Sequence, residues 1–230
     1  MNKELSEILI TYTTKAHKDF TGRLLDLSKD SLISLFTDLL TMYINDRNSS
    51  RLREYITVIT AGYEHSEGKI GFNGYKQNNI VGGLPIACEA KPRNIFTADF
   101  KAHADGKRKT KPALLNGGGN FTDYTPDRLK RDRKENPMML TSGFIDGKLI
   151  YILEFPFRTV SFVKCLRKSL EKHFPNGVRK SGTFLRSATF DFRSYESANT
   201  LQVIYRLPAT ELETYKKFFN KKFYEFLLHL

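Results

Sequence analysis

KIGFNGYKQNNIVGGLPIACEAKPRN, residues 69–94, contains the pattern from which the fold is predicted. Within it, residues 86–91 are predicted to form a short buried strand. Because successive side chains of a strand point to opposite faces, Glu89 and Lys91 share one face, and the apolar residues around them share the other. Burying a carboxylate and an ammonium costs several kcal/mol unless they are paired or hold a ligand. The pair is therefore either an ordinary salt bridge or part of a functional site.

A β-hairpin is predicted to bring position 73 close to Glu89. Residues 70–75, IGFNGY, have the pattern of its first arm. Asparagine and glycine pairs within residues 78–83 supply the turn chemistry between the two arms. Asn73 would then lie beside the strand that carries Glu89 and Lys91.

This hairpin resembles the active-site hairpin of the PD-(D/E)-x-K nuclease superfamily, which includes many type II restriction endonucleases. In that family an acidic residue ends or interrupts one strand, and Glu/Asp-x-Lys lies on the next. Glu89 and Lys91 match the second half of this motif, and the resemblance covers roughly this hairpin. It implies an α/β fold with a restriction-endonuclease-like central mixed β-sheet flanked by helices.

The resemblance also implies a reaction and a site. The protein would be a Mg²⁺-dependent type II restriction endonuclease, a homodimer that hydrolyses phosphodiester bonds of double-stranded DNA at a palindromic site. Asn73, Glu89 and Lys91 would be its catalytic residues. Mg²⁺ would be held by the side chains of Asn73 and Glu89 and by the carbonyl of Ala90, and Lys91 would position or polarise the attacking water.

Asn73 departs from the family pattern, which has an aspartate at this place. The first explanation is an engineered change to an amide, which would inactivate the nuclease and trap it on its substrate. The second is that another acid, such as Glu64 or Glu67, supplies the missing carboxylate. The third is a natural relative that binds DNA without cleaving it.

The composition is that of a basic, folded protein. The chain has 230 residues, of which 40% are hydrophobic and 13% aromatic, enough for a continuous core. A single nuclease domain over residues 1–230 is expected, because no internal repeat or low-complexity linker divides the chain. The formal net charge of +12 points to an anionic partner, either a nucleic acid or a membrane surface.

Other features narrow the class of protein. No stretch is long and apolar enough to span a bilayer, and the N-terminus lacks the apolar run of a signal peptide. Two cysteines make no disulfide framework, and five histidines lack the spacing of a zinc site. We therefore expect a reducing, cytoplasmic location, no membrane partner, and DNA as the anionic partner. Besides a restriction enzyme, a non-catalytic DNA-binding protein on the same fold and a structure-selective repair or phage nuclease are open.

Residues 100–134 carry much of the excess positive charge. Ten basic residues in this segment outnumber four acidic ones, a net +6 that is half of the excess of the whole chain. Three glycines, residues 117–119, either let the backbone approach a ligand closely or form a flexible surface loop. Thr125 as N-cap and Pro126 at the first helical position begin a basic helix that suits a phosphate backbone. The candidate DNA-binding residues are Arg93, Asn94, Lys101, His103, Lys107, Arg108, Lys109, Asn116, Gly118, Asn120, Arg128, Lys130 and Arg131.

The remaining elements are predicted from apolar periodicity and turn residues. Helices are predicted over residues 1–18, 30–45, 51–63 and 160–174, and strands over residues 138–145, 148–155, 183–192 and 200–207. Asp146-Gly147 is a two-residue hairpin signal, and the apolar run at 149–153 is expected to be a central strand. The apolar stripes of the helices are either core or part of a dimer face.

Two further side-chain arrangements are predicted. Glu154 either supports the site or pairs with an arginine such as Arg158, and pairing is the favoured interpretation. Thr210 and Glu213 have the spacing of a capping box, which predicts one last helix that runs to the C-terminus.

Overall fold

A mixed sheet of six strands forms the centre of the structure, a computed structural model that describes residues 3–15, 26–45, 50–66, 72–78, 83–177 and 182–229. The strand order is β1-β2-β3-β5-β6-β8, and β4 pairs with β7 in a separate two-stranded sheet. The strands are β1 (Glu64–His65), β2 (Gly74–Lys76), β3 (Ile86–Ile95), β4 (Gly119–Tyr124), β5 (Met138–Ile145), β6 (Lys148–Pro156), β7 (Leu185–Phe190) and β8 (Gln202–Arg206).

Helices flank the sheet, so the chain belongs to the α/β class. The α-helices of the described residues are α1 (Lys3–Thr14), α2 (Lys29–Asn45), α3 (Ser50–Thr60), α4 (Thr97–Ala104), α5 (Pro126–Glu135), α6 (Val160–His173), α7 (Ala209–Thr214) and α8 (Lys221–Leu228). The predicted helices at 1–18, 30–45, 51–63 and 160–174 correspond to α1, α2, α3 and α6, although residues 1–2 and 16–18 lie outside the described residues. None of the helices described is long and apolar enough to cross a membrane.

Strand β3 lies inside the sheet and is longer than predicted. It extends to Ile95 because the whole of β5 pairs in parallel with its residues 88–95. On its other side, the short strand β2 pairs antiparallel with residues 86–88 only. Among the described residues, no strand covers this second edge of β3 beyond residue 88. The motif residues therefore lie where a packed strand becomes an open edge.

Two apolar clusters cover the two faces of the sheet. Helices α1, α2 and α3 pack on one face, where Val58 of α3 and Ile152 of β6 belong to the same cluster. The other face packs against β4, β7, α6 and α8, and here Phe121 and Leu166 share a cluster with Leu153. Ile152 and Leu153 are neighbours in β6 and belong to different clusters, as the alternation of a strand requires. The predicted central strand is confirmed, since β6 lies between β5 and β8 and residues 149–153 are fully buried.

Local turn and cap signals are confirmed. Asp146 and Gly147 join β5 to β6 with φ angles of 48° and 83°, and positive φ at both positions suits a two-residue hairpin. Thr125 caps α5 by accepting a hydrogen bond from the backbone N–H of Arg128 at 3.1 Å.

The prediction of one continuous C-terminal helix is wrong. The chain forms α7 and α8 instead, and Thr210 makes no capping box with Glu213 because α7 has no side-chain cap. Between the helices the backbone pairs with Leu115, whose N–H donates to the Phe218 carbonyl and whose carbonyl accepts from the Asn220 N–H, both at 2.8 Å. This long-range backbone pairing interrupts the series of hydrogen bonds that a continuous α-helix would need.

The prediction that Glu154 pairs with an arginine such as Arg158 is also wrong. Its carboxylate accepts hydrogen bonds from the Tyr63 hydroxyl at 2.9 Å and from the Lys76 ammonium at 3.2 Å. Arg158 donates to the backbone carbonyl of Arg133 at 3.1 Å instead. Tyr63, directly before β1, and Lys76 of β2 therefore satisfy this buried acid.

Candidate active site

Strand β3 presents Glu89 and Lys91 on its face toward β4. The Lys91 ammonium donates to the Glu89 carboxylate and lies 4.7 Å from the centre of the Phe121 ring. The side chains of Lys91 and Glu89 are only 16% and 6% exposed. This salt bridge is therefore not an ordinary surface pair. Its possible function depends on the residues around it.

The predicted antiparallel pairing of the hairpin arms is confirmed where the structure describes them, and it brings Asn73 against β3. The backbone N–H of Asn73 donates to the carbonyl of Cys88 at 2.9 Å. Its side-chain Oδ1 accepts from the backbone N–H of Ala90 at 2.7 Å. The predicted arm residues 70–71 and turn residues 79–82 lie outside the described residues. Asn73 thus occupies the edge of β3 beside the residue between Glu89 and Lys91.

A second acid at this edge, Glu54 of α3, was not identified from the sequence. Burial raises the pKa of Glu54 from 4.5 to about 7; Lys91 opposes this shift, and the charge of Glu89 adds to it. The side chain of Asn73 lies close enough to this carboxylate to lower its pKa. A buried carboxylate whose charge raises the pKa of a second, half-buried carboxylate is typical of sites that hold a cation or transfer a proton.

The two acids proposed from the sequence as replacements do not take this place. Glu64 is an exposed residue of β1, which β2 separates from β3, and it accepts a hydrogen bond from the Tyr75 hydroxyl. Glu67 lies outside the described residues. Among the described residues, the charge of Glu89 acts on the carboxylates of both Glu54 and Asp132, and Glu54 is the one that interacts with Asn73.

A cleft of about 720 Å³ opens beside these residues. Glu54 lines it from α3, and Lys91 and Arg93 line it from β3. Two further candidate DNA-binding residues, Asn116 and Asn120, line the opposite wall. The Arg93 guanidinium donates to the Asn116 side-chain oxygen at 3.1 Å, which joins the two walls. The cleft therefore brings three of the predicted DNA-binding residues to the Glu89–Lys91 pair.

Arg193 adds a basic group to this cleft that sequence reasoning missed. It follows β7 and pairs with Asp191 at 2.7 Å, while its side chain remains 74% exposed. Its signal in the sequence is weak, because a single arginine in a loop has no motif around it. Arg93 and Arg193 give the cleft two guanidinium groups.

The three glycines at 117–119 are not a flexible surface loop, because Gly117 and Gly118 are buried. A Cβ at Gly118 would lie 2.1 Å from the Phe190 carbonyl oxygen, and one at Gly119 would lie 2.6 Å from the Cβ of Lys91. The close approach that these glycines permit is to β7 and to Lys91. Gly118 also donates its N–H to the Asn116 side-chain oxygen at 3.1 Å.

The remaining candidate DNA-binding residues lie outside the cleft. The Asn94 side chain accepts from the Gly147 N–H at 3.2 Å, and the His103 ring is bonded to the carbonyl of Arg108 at 2.9 Å. Arg108 in turn pairs with Asp99 at 2.5 Å. Exposed lysines on and after α4 complete this group, namely Lys101, Lys107 and Lys109.

Three of the five bases of α5 have acidic partners within the helix. Arg128 and Arg131 lie 3.6 and 3.8 Å from the Asp132 carboxylate, and Lys130 lies 3.8 Å from Asp127. Arg131 is also within 3.7 Å of Glu135. The charge that the sequence assigns to this helix thus has internal partners.

The donor set at the edge of β3 fits a hard cation such as Mg²⁺. It offers the carboxylates of Glu54 and Glu89, the amide oxygen of Asn73, and the carbonyl of Ala90, which points toward the same edge as its N–H. The described residues contain no group of three or more His, Cys, Asp or Glu side chains that could hold a metal. Mg²⁺ needs no such cluster, because it typically binds one or two carboxylates and keeps several waters.

No protein-family model matches the chain, and no curated protein matches it. The case for a function therefore rests on the hairpin motif and on the cleft that surrounds it. These features combine two carboxylates, a lysine and two arginines at one concave surface.

Proposed function

We propose that this protein is a Mg²⁺-dependent, sequence-specific endonuclease for double-stranded DNA, a type II restriction enzyme of the PD-(D/E)-x-K superfamily. One observation carries the proposal: Glu54 and Glu89, from different elements, meet Asn73 and Lys91 at the edge of a cleft. The mixed sheet flanked by helices is compatible with the restriction-endonuclease fold.

Mg²⁺ would be held by the carboxylates of Glu54 and Glu89 together with the oxygens of Asn73 and Ala90. When bound, the ion supplies an activated water at neutral pH and charge relief on the phosphate. Glu54 is suited to this role because burial already raises its pKa to about 7, so a cation nearby relieves the cost of its charge.

Lys91 would orient the attacking water and donate a hydrogen bond to it. Its ammonium is held by Glu89 and by the face of the Phe121 ring, which limits its freedom. Arg93 and Arg193 would bind the phosphates on either side of the scissile bond, as guanidinium groups commonly do. Asn116 and Asn120 would contact bases, since asparagine suits adenine.

In this proposal the amide at position 73 is compatible with an active enzyme. The Asn73 side chain accepts from the Ala90 N–H and lowers the pKa of Glu54, so it interacts with both β3 and α3. An aspartate there would place a third negative charge beside Glu54. Glu54 thus supplies the carboxylate that the motif lacks, and Asn73 positions it.

A homodimer would let two copies of this cleft act on the two halves of a palindromic site. Each copy would present the same reading surface to its half-site. Cleavage of both strands would then follow from the symmetry of the protein.

A plasmid cleavage assay with Mg²⁺ tests the proposal, with Lys91→Met as the inactive control. We expect discrete fragments from the unaltered chain and none from Lys91→Met. A smear of products would instead indicate a nuclease without sequence preference. Absence of cutting by both the unaltered chain and Asn73→Asp would leave a DNA-binding protein as the function.

A further inference from the structure

The outer face of α6 carries positive charge that the described residues do not neutralise. Lys164, Arg167 and Lys168 are exposed, and none of the ion pairs among the described residues involves them. Arg128, Lys130 and Arg131 of α5 differ, because acids of the same helix pair with them. Unpaired charge concentrated on one helix face is available to a polyanion.

This face continues into a groove of about 620 Å³. Arg133 and Arg158 line the groove together with Lys164, Arg167 and Lys168, and Glu171 is the one acid in its lining. Five basic groups and one acid give the groove a net charge of +4. The hydrogen bond from Arg158 to the Arg133 carbonyl, at 3.1 Å, fixes one of these bases in place.

The basic face of α6 borders the cleft of the candidate active site. Cys165 lines that cleft, and its thiol lies 3.8 Å from the carbonyl of Thr189 on the cleft wall. Lys164 precedes Cys165 directly, and the ammonium of Lys168 is close enough to act electrostatically on its thiol. A DNA duplex bound in the cleft and extending beyond it would therefore contact this face.

We propose that the face formed by Lys164, Arg167 and Lys168 binds the phosphate backbone of DNA next to the cleft, and this inference rests on the proposed function. Lys164 and Lys168 are separated by a rise of about 6 Å along the helix. Successive phosphates of one strand rise by about 3.4 Å. The three bases match two or three consecutive phosphates, so the contact gives affinity without sequence preference.

The test is the salt dependence of binding to a fluorescent random-sequence duplex in EDTA. The triple variant Lys164→Ala, Arg167→Ala, Lys168→Ala should lower the log–log slope by about 2–3, at about 0.9 for each lost phosphate contact. The matched control removes three exposed lysines from helices on the opposite face of the sheet, Lys3, Lys15 and Lys29, all to alanine. It should leave the slope within about 0.5 of that of the unaltered protein.

Cys165 gives a second readout, because Cys88 is buried and Cys165 is the accessible thiol. The duplex should slow alkylation of Cys165 in the unaltered protein, and much less in the triple variant. An unchanged slope and unchanged protection in the triple variant, while the unaltered protein still binds and cuts DNA, would overturn this inference alone. If the triple variant loses binding to anionic lipid vesicles but binds DNA like the unaltered protein, the inference is wrong and the face binds a membrane surface. Failure of the unaltered protein to bind DNA would overturn both proposals.

Discussion

Replacing Lys91 by methionine tests whether this ammonium balances a buried carboxylate. Removing one partner of a buried ion pair costs about 3–5 kcal/mol, because the other charge is left uncompensated. Glu89 is 6% exposed and Lys91 is 16% exposed, so water recovers part of this cost. The contact of Lys91 with the Phe121 ring, at 4.7 Å, is lost as well. We expect a loss of about 3 kcal/mol in the free energy of unfolding.

The matched control is Lys76→Met, which breaks the ion pair of Lys76 with Glu154. Lys76 is 33% exposed, and the Tyr63 hydroxyl continues to donate to Glu154 at 2.9 Å. This variant should lose only about 1 kcal/mol. Urea unfolding in EDTA, followed by circular dichroism because the chain has no tryptophan, measures both. If Lys91→Met costs no more than Lys76→Met, the charge balance described for the site is wrong.

Three further changes probe the surroundings of the site. Burial and, second, the charge of Glu89 raise the pKa of Asp132 from 3.8 to about 6. The stability that Asp132 contributes is therefore fully present below pH 3.8 and is lost as the pH rises toward 6. Asp132→Asn should therefore gain up to about 3 kcal/mol over the wild type between these pH values, and a constant difference in urea unfolding would contradict this. Gly119→Ala, whose Cβ would lie 2.6 Å from the Lys91 Cβ, should cost about 1–3 kcal/mol and displace Lys91, seen as reduced plasmid cleavage. Thr125→Ala removes the N-cap of α5 and should cost about 1 kcal/mol in thermal or urea unfolding, whereas an unchanged stability would argue against the cap.

Elements with local signals could be predicted from the sequence. Asp146-Gly147 fixes a hairpin through two positive φ angles, and Thr125 fixes a helix start through its hydroxyl. The Glu89–Lys91 face follows from strand alternation alone. These features depend on neighbours within a few residues, so the sequence displays them directly.

Features set by distant contacts could not be predicted in this way. Buried and exposed side chains do not alternate regularly along β4, because Asp123 has a φ of 51°. Phe121 and Tyr124 are therefore both buried although they are three residues apart. The break between α7 and α8 depends on backbone pairing with Leu115. Glu54 joins the site only because α3 packs on β3, and nothing near it in the sequence resembles the motif.

Mg²⁺-dependent cleavage of a supercoiled plasmid by the unaltered protein, Glu54→Gln and Glu64→Gln measures whether Glu54 is a metal ligand. Glu54 meets Asn73 at the cleft, whereas Glu64 is an exposed acid of β1 and serves as the matched control. We expect Glu64→Gln to cut like the unaltered protein. Glu54→Gln should lose cleavage activity by more than the roughly 10–100-fold typical of outer partners of a metal site, because Glu54 is proposed as a direct ligand. Equal cleavage by Glu54→Gln and the unaltered protein at every Mg²⁺ concentration would show that Glu54 does not hold the metal.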